Sequence, residues 1–280
     1  MDTLESLSDA LETTGEIQSI VRTMKALSSV SIRQYEHAET AMASYARTIE
    51  LGLMAVLRQR RSAGLPPPGT YGSGGRGALI VVGSDRGLCG GYNDKIARFA
   101  RSRMDGRPVV LGVIGARVAA RFEGEGSAVQ SVHALPGSVE GLSRLVQTMI
   151  VEIDRWTRAE GVGQVWLTHN RREGRTTAKP QAHRLLPLPD SYLHKLAEAD
   201  WPGRSLPQFR MEPDRLMSWL VQQRLVVVIY RALAEALASE HASRLAAMQA
   251  AERNIEERRD DLRQLYRLRR QETITRELLD

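Results

Sequence analysis

Glu212 to Asp280 reads EPDRLMSWLVQQRLVVVIYRALAEALASEHASRLAAMQAAERNIEERRDDLRQLYRLRRQETITRELLD, with no glycine and no proline after Pro213. A helix interior disfavours glycine by about 1 kcal/mol and proline by about 3 kcal/mol against alanine, so so long a stretch free of both predicts one continuous helix. Its opening agrees: proline at a first helical position loses no hydrogen bond, and Glu212 and Asp214 sit at the positive end of the helix dipole. About 67 residues at ~1.5 Å each make a rod of roughly 100 Å. Leu225 to Tyr230 is apolar on all sides and is expected to be enclosed, whereas charges dominate from Glu252 onward, with 12 arginines and 11 acidic residues over Asp214 to Asp280. A rod that long cannot be buried within 280 residues, so part of it needs other company.

The other end of the chain is its natural companion. All 11 prolines lie between Pro66 and Pro213 and no glycine follows Gly203, so both ends are free to be long helices. Ile32, Tyr35, Ala38, Met42, Tyr45, Ile49, Leu53 and Val56 step by three or four, as do Leu4, Leu7 and Leu11, which is the stripe of a helix burying one side. Residues 2 to about 61 read as one helix, ended by Gly64 and Pro66 to Pro68, with a flexible glycine-rich link up to Gly77. Two such helices flanking an insert are expected to pair as an antiparallel coiled coil, with the carboxy-terminal third outrunning its partner.

Between them short β-rich runs alternate with helical ones: Ala78 to Val82, a helix from Asp94 to Met104, Val109 to Ile114, a helix from Ala116 to Phe122, a long helix from Val139 to Glu160, and Val165 to Thr168. Alternation of this kind indicates a mainly parallel sheet covered by helices. Arg171 to Pro207 yields only one strand, around Ala182 to Leu188.

Composition excludes several classes. With 42% hydrophobic and 26% charged residues the chain is neither disordered nor collagen-like. The formal charge of +6 permits an acidic partner without naming one, and only four basic residues are lysines, Lys25, Lys95, Lys179 and Lys195. A single cysteine, Cys89, excludes an intrachain disulfide and paired-thiolate zinc. The acidic amino terminus lacks a leader pattern and no apolar run is long enough to span a bilayer, so the cytoplasm is the expected compartment.

Two glycine-rich sites invite chemistry. GSGGRG, Gly72 to Gly77, has the spacing of a dinucleotide fingerprint but precedes its strand instead of following it, and reads as a linker. SDRGLCGGYN, Ser84 to Asn93, does follow a strand and lead into a helix, so its amides could face an anion, yet it lacks the Lys-Ser/Thr pair of a phosphate loop. Cys89, beside Arg86, could be an activated thiol, but His133 is the nearest histidine in sequence and stands far along the chain, which favours a structural cysteine. A soluble phosphate-binding or thiol-dependent α/β enzyme using this loop is the alternative reading. The six histidines form no ligand set, and Arg171, Arg172 and Arg175 lack the interleaved aromatics of a nucleic-acid surface.

Together the terminal hairpin, the insert and SDRGLCGGYN resemble the γ subunit of F-type ATP synthases. ASEHASRLAAMQAAERN (Ala238 to Asn254), RQETITRELLD (Arg270 to Asp280), SIVRTMKALSSVSIR (Ser19 to Arg33) and FRMEP (Phe209 to Pro213) are similar to segments of that family. Ser31 and Arg267 depart from its pattern, and the sequence ends at Asp280 where most relatives carry a short tail, features that suggest a divergent branch such as the alternate sodium-type synthases.

The resemblance implies an α/β, Rossmann-like domain over residues 78–208 on a long antiparallel coiled coil of residues 1–62 and 209–280, joined through 63–77. It implies a non-catalytic rotor shaft without cofactor, partnered by the α and β subunits of the catalytic ring, the ε subunit and the membrane c-ring. It further implies a peripheral place on the cytoplasmic face of a bacterial inner membrane, with no nucleic acid and no direct membrane insertion. Met24 and Lys25 on the first helix and Arg270, Gln271 and Thr275 on the last would face the ring. The loop of Asp85, Arg86, Gly87, Leu88 and Cys89 would lie near the carboxyl-terminal domain of β. The coupled ion, proton or sodium, stays open.

Overall fold

A computed structural model describes residues 3–64, 75–104, 109–174, 177–205 and 207–279. Helices α1 (Leu4–Ala41) and α2 (Ala43–Ser62) are followed by β1 (Arg76–Val82), α3 (Tyr92–Met104), β2 (Val109–Ile114), α4 (Ala116–Glu123), β3 (Ser131–His133), α5 (Glu140–Ala159), β4 (Val162–Glu173), β5 (Thr177–Leu186), α6 (Asp190–Glu198) and α7 (Pro213–Leu279). Most of the 63–77 stretch expected to be a flexible link lies outside the described residues, as do the first half of GSGGRG and Arg175, while Arg76 and Gly77 open β1.

The strands form one five-stranded sheet in the order β3-β2-β1-β4-β5, parallel except for the antiparallel β5. Period-two alternation divides β1 between two cores. Ala78, Ile80 and Val82 pack with Val146, Met149 and Trp156 of α5 and with Ile229 and Leu233 of α7. Leu79 and Val81 face α3 and α4 through Ile96, Val118 and Phe122. Gly112 of β2 lets Trp156 lie on the sheet, since a Cβ there would stand 2.7 Å from the indole ring. A third core joins α2, α6 and the start of α7 through Leu53, Leu57, Leu193, Leu196, Met217 and Leu220.

The long helix starts where its sequence signals it. The Glu212 carboxylate accepts the backbone N–H groups of Asp214 at 2.9 Å and Arg215 at 2.8 Å, and those bonds hold its pKa below the ordinary range. α1 starts on Thr3, whose hydroxyl accepts the Ser6 N–H at 3.2 Å.

The terminal helices run antiparallel. Gln18 donates to Glu256 at 3.3 Å, Arg22 pairs with Glu252 at 3.2 Å, Lys25 pairs with Glu252, Tyr35 stacks on His241, Arg231 donates to Glu39 at 3.1 Å, and Tyr45 donates to Gln223 at 2.6 Å. Partner numbers fall along α7 as they rise along α1 and α2, and the pairing reaches Arg60 and Asp214.

Four expectations are corrected. The first helix is two, because at Met42 the N–H reaches back only three residues, to Glu39 O at 3.2 Å, and α2 restarts with Ala46 N on Met42 O. β3 and α6 are additional elements in stretches left without them. The carboxy-terminal third of α7 does not outrun its partner. Gln18 already lies opposite Glu256 and Arg259, and at ~1.5 Å per residue the part of α1 before it reaches about residue 271, so only about the last two turns project. The reason is that α2 accompanies α7 past the sheet, so the amino-terminal arm is nearly as long as α7. Tyr45, expected on the buried stripe, is exposed apart from its hydroxyl bond to Gln223.

Candidate functional site

The loop after β1 is built by its own side chains. Gly83 turns the chain out of the strand where any Cβ would stand 2.3 Å from Val118 Cγ1. The Asn93 side chain, at the start of α3, bridges the loop: its Oδ1 accepts the Ser84 N–H at 3.0 Å and its Nδ2 donates to Ser84 Oγ at 2.8 Å. Asp85 ties the loop to two neighbours, accepting Ala116 N at 2.8 Å and Leu135 N at 2.7 Å. Ala116 N is an unpaired donor of the first turn of α4, so Asp85 acts as a remote cap.

The loop is also fastened to the long helix. Arg244 of α7, only 5% exposed, reaches the Gly87 carbonyl at 3.3 Å and the Arg86 carbonyl at 3.4 Å while pairing with Glu240 at 2.5 Å. Tyr92 donates to the Ala236 carbonyl at 2.8 Å, and Asn170 donates to the Tyr92 carbonyl at 3.1 Å. Burial pushes the Glu240 carboxyl above its ordinary range even though Arg244 opposes the rise, and burial likewise raises the Tyr92 phenol.

This geometry decides what the loop can do. Cys89 is buried, with its sulfur 3.7 Å from Ser84 Oγ and 3.8 Å from the Arg86 carbonyl, and burial pushes its thiol up. A thiol with that environment is held protonated, the opposite of an activated nucleophile. Two amides beside the loop, Ser84 N and Ala116 N at the start of α4, are already taken by Asn93 and Asp85. What the loop offers outward is Arg86 and Leu88, the latter 61% exposed and held at φ 61°. Such a left-handed φ is uncommon away from glycine.

The expected contact residues at the free end divide in the same manner. Met24 and Lys25 are half-buried along the α1–α7 seam, Lys25 on Glu252, whereas Arg270, Gln271 and Thr275 are exposed. The Thr275 hydroxyl donates to the Gln271 carbonyl at 2.8 Å. Around them lie apolar side chains left exposed among the described residues: Ile17, Ile20, Leu27 and Val30 on α1, and Leu265, Leu268 and Ile274 on α7.

The sequence reading missed Arg244 as the link between loop and shaft, although Glu240 and Arg244 stand at the i, i+4 spacing of a helical ion pair. Arg171 and Arg172 pair with Glu235 at 3.8 Å and Glu36 at 2.8 Å, so they fasten β4 to the hairpin. Among the described residues no His, Cys, Asp and Glu side chains gather to hold a metal, and no helix is long and apolar enough to cross a membrane.

A family model described as ATP synthase matches residues 3–280. The ATP synthase gamma chain of Xanthomonas campestris is 32% identical over 211 residues, covering 72% of this chain and 70% of that one. The gamma chain of Methylococcus capsulatus is 27% identical over 270 residues, covering 94% and 91%. Among solved structures, the rotor of the Euglena gracilis mitochondrial ATP synthase superposes with a TM-score of 0.66 at 15% identity, covering 97% of this chain and 99% of that one. The central stalk and c-ring of the Tetrahymena thermophila mitochondrial enzyme gives 0.58 at 19% identity, covering 83% and 99%.

Proposed function

The chain belongs to the ATP synthase γ family, the non-catalytic central-stalk subunits of the rotary enzyme, and from that premise we propose how its surfaces divide the work. Residues 1–62 and 209–280 form the shaft, residues 78–208 the foot, and 63–77 the link between them. The free end of the shaft enters the bore of the catalytic ring of α and β subunits. The foot meets the ε subunit and the membrane c-ring, on the cytoplasmic face of a bacterial inner membrane. Rotation then couples ion translocation to ATP synthesis or hydrolysis.

The observation that carries this reading is the uncovered apolar set at the free end. Ile20 and Leu27 are 60% and 63% exposed on the outer face of α1, while the last turns of α7 present Arg270, Gln271 and Thr275. Clustered exposed apolar residues mark a surface that another protein covers. The two helices also present different side chains, Ile17, Ile20, Leu27 and Val30 on α1 and a mixture of Leu268 and Ile274 with Arg270, Gln271 and Thr275 on α7. An asymmetric shaft inside a ring of like sites contacts each differently, which biases each toward a different conformation and so a different nucleotide affinity. Met24 and Lys25 support the ring contact from the seam. At the Asp85–Cys89 loop, Arg86 and Leu88 make the contact with β, and Asp85, Gly87 and Cys89 hold them in place.

Co-expression with α and β subunits of the same organism tests the reading. A single complex with ATPase activity that is lost when this chain is omitted is the expected result. A chain that stays apart from α and β under those conditions overturns it.

A further inference from the structure

The face of the sheet turned away from the shaft is only partly covered. There α4 lies against β2 and β3, and α3 lies against β1 and along β4 and β5, so among the described residues the far strip of the sheet has one helix at its side. On β5 this face carries Ala178, Pro180, Ala182 and Arg184, since Gln181 and His183 alternate to the side of α2 and α7. Arg184 stands opposite Trp166 of β4, which is half-buried at the margin of the α3–α4 core. Arg103 of α3 is exposed and lies over two rings at once, 5.1 Å from the centre of Phe99 and 5.9 Å from that of Trp166. Lys95, also exposed, continues the row, because Lys95, Phe99 and Arg103 follow one another at the four-residue spacing of a single helix face.

These cations lack a counter-charge. Among the described residues Lys95, Arg103 and Arg184 form no ion pair, whereas the other flank of α3 is neutralised against α4: Arg101 pairs with Glu125 at 2.6 Å and Asp94 with Arg121 at 3.1 Å. Positive charge gathered around a half-buried tryptophan attracts an anionic partner, and tryptophan and arginine are the side chains that dominate binding surfaces. The stacking also decides which anion fits. A cation lying over the rings occupies the surface on which a nucleobase would stack, so a single-stranded nucleic acid has no platform here. The N–H groups of a guanidinium lie in its own plane and stay available to a carboxylate, and the two rings restrict Arg103 before any partner arrives.

We propose that this strip of the foot docks an acidic segment of a partner protein, whose carboxylates meet Arg103 and Arg184 while an apolar side chain covers Trp166. Lys95 and Arg103 stand about 12 Å apart along α3 at ~1.5 Å per residue, so a further carboxylate at that distance completes the match. The strip belongs to the foot and faces away from the shaft, so a partner held there leaves the free end and its ring contact unobstructed.

A fluorescein-labelled synthetic peptide of glutamates around a central leucine, titrated with the full chain at low salt and followed by anisotropy, is the probe. A dissociation constant of about 10 μM is expected, weakening as added salt screens the pairing. Arg103→Gln and Arg184→Gln should each weaken binding at least about tenfold. Arg158→Gln removes the same charge from α5, on the opposite face of the sheet, and should change it less than about twofold. Tryptophan emission, read with the unlabelled peptide, should shift on binding, and Trp166→Phe should abolish that shift. Should Arg103→Gln or Arg184→Gln fail to fold, Lys95→Gln, at an exposed position, decides the matter and should weaken binding about threefold or more. Binding that Arg158→Gln weakens as much as the patch variants do, an emission shift that survives Trp166→Phe, or tighter binding of an oligothymidylate of equal charge would overturn the assignment.

Discussion

Leu225 to Arg244 and Glu252 to Leu279 belong to the same unbroken helix, yet they meet different surroundings. In the first stretch Leu225, Val227, Ile229, Leu233, Ala236 and Leu237 are buried, together with the charged pair Glu240 and Arg244, because α1, α5 and the sheet enclose the helix. In the second Leu262 is buried, whereas Leu265, Leu268 and Ile274 are exposed. The first half is fixed by tertiary packing. The second is held by one seam and by ion pairs such as Arg22–Glu252, exposed enough to contribute little each. A helix that long is therefore stable at one end for what it touches within the chain and is left, at the other, to what it touches outside.

The comparison breaks first at Arg244. Replacing it with glutamine leaves Glu240 buried without its cation, and loss of one partner of a buried pair costs about 3–5 kcal/mol. Because the folded pKa of Glu240 is raised, the native state holds the proton more tightly than the unfolded chain. Stability from this group therefore falls as pH rises above the ordinary carboxylate range. Urea unfolding of Arg244→Gln should show the full loss at pH 7 and a partial recovery near pH 5. Equal losses at both pH values would show that Glu240 is not the source.

Leu233→Ala and Leu268→Ala compare the halves with one chemistry. Leu233 is fully buried, so its truncation should cost about 2–5 kcal/mol. Leu268 is 54% exposed, so its truncation should change the isolated chain by less than about 0.5 kcal/mol. Similar losses would erase the distinction.

His241 sharpens the boundary more gently. Burial, then the charges of Arg244 and Arg86, hold its pKa down to about 4, so the folded state binds its proton less readily than the unfolded chain. Its stabilisation is complete above the ordinary histidine range and is lost as pH falls toward about 4. His241→Phe, which keeps the ring beside Tyr35, should flatten the acid side of the stability profile while leaving pH 8 nearly unchanged. An unaltered acid slope would place the lability elsewhere.

Sequence carried the elements with strong local signals. α7 was legible from its lack of breakers, β1 from Ala78 to Val82, and the loop from its place between strand and helix. β3 was not, because three residues have no period, and Ser131–His133 exist as a strand only through pairing with β2. α6 did carry a signal, Pro189 and Asp190 ahead of Leu193 and Leu196, that scattered prolines nearby obscured. The inward roles of Asp85 and Arg244 depend on atoms far apart in sequence, Leu135 for one and Gly87 for the other, and no local pattern encodes them. The projecting length of α7 was overestimated because it depends on where α2 runs, a tertiary fact.

The smallest expected effect on stability is the most informative about function. Gln271 onward projects past the end of α1, and Arg270 to Thr275 are exposed, so removing residues 271–280 takes away almost no packing within the chain. The isolated protein should lose less than about 0.5 kcal/mol, the range of surface changes away from any cap or core. In the assembled enzyme the same deletion removes Gln271, Thr275 and Ile274 from the proposed ring contact. Charge-assisted and neutral hydrogen bonds there are worth up to about 3 kcal/mol each when well formed, so assembly or coupling should suffer. ATP-driven ion pumping measured against ATPase rate in reconstituted vesicles separates the two outcomes. A preserved ratio, with a complex of unchanged stability, would mean that the projecting turns bear no torque and that the ring grips the shaft nearer the Lys25–Glu252 seam.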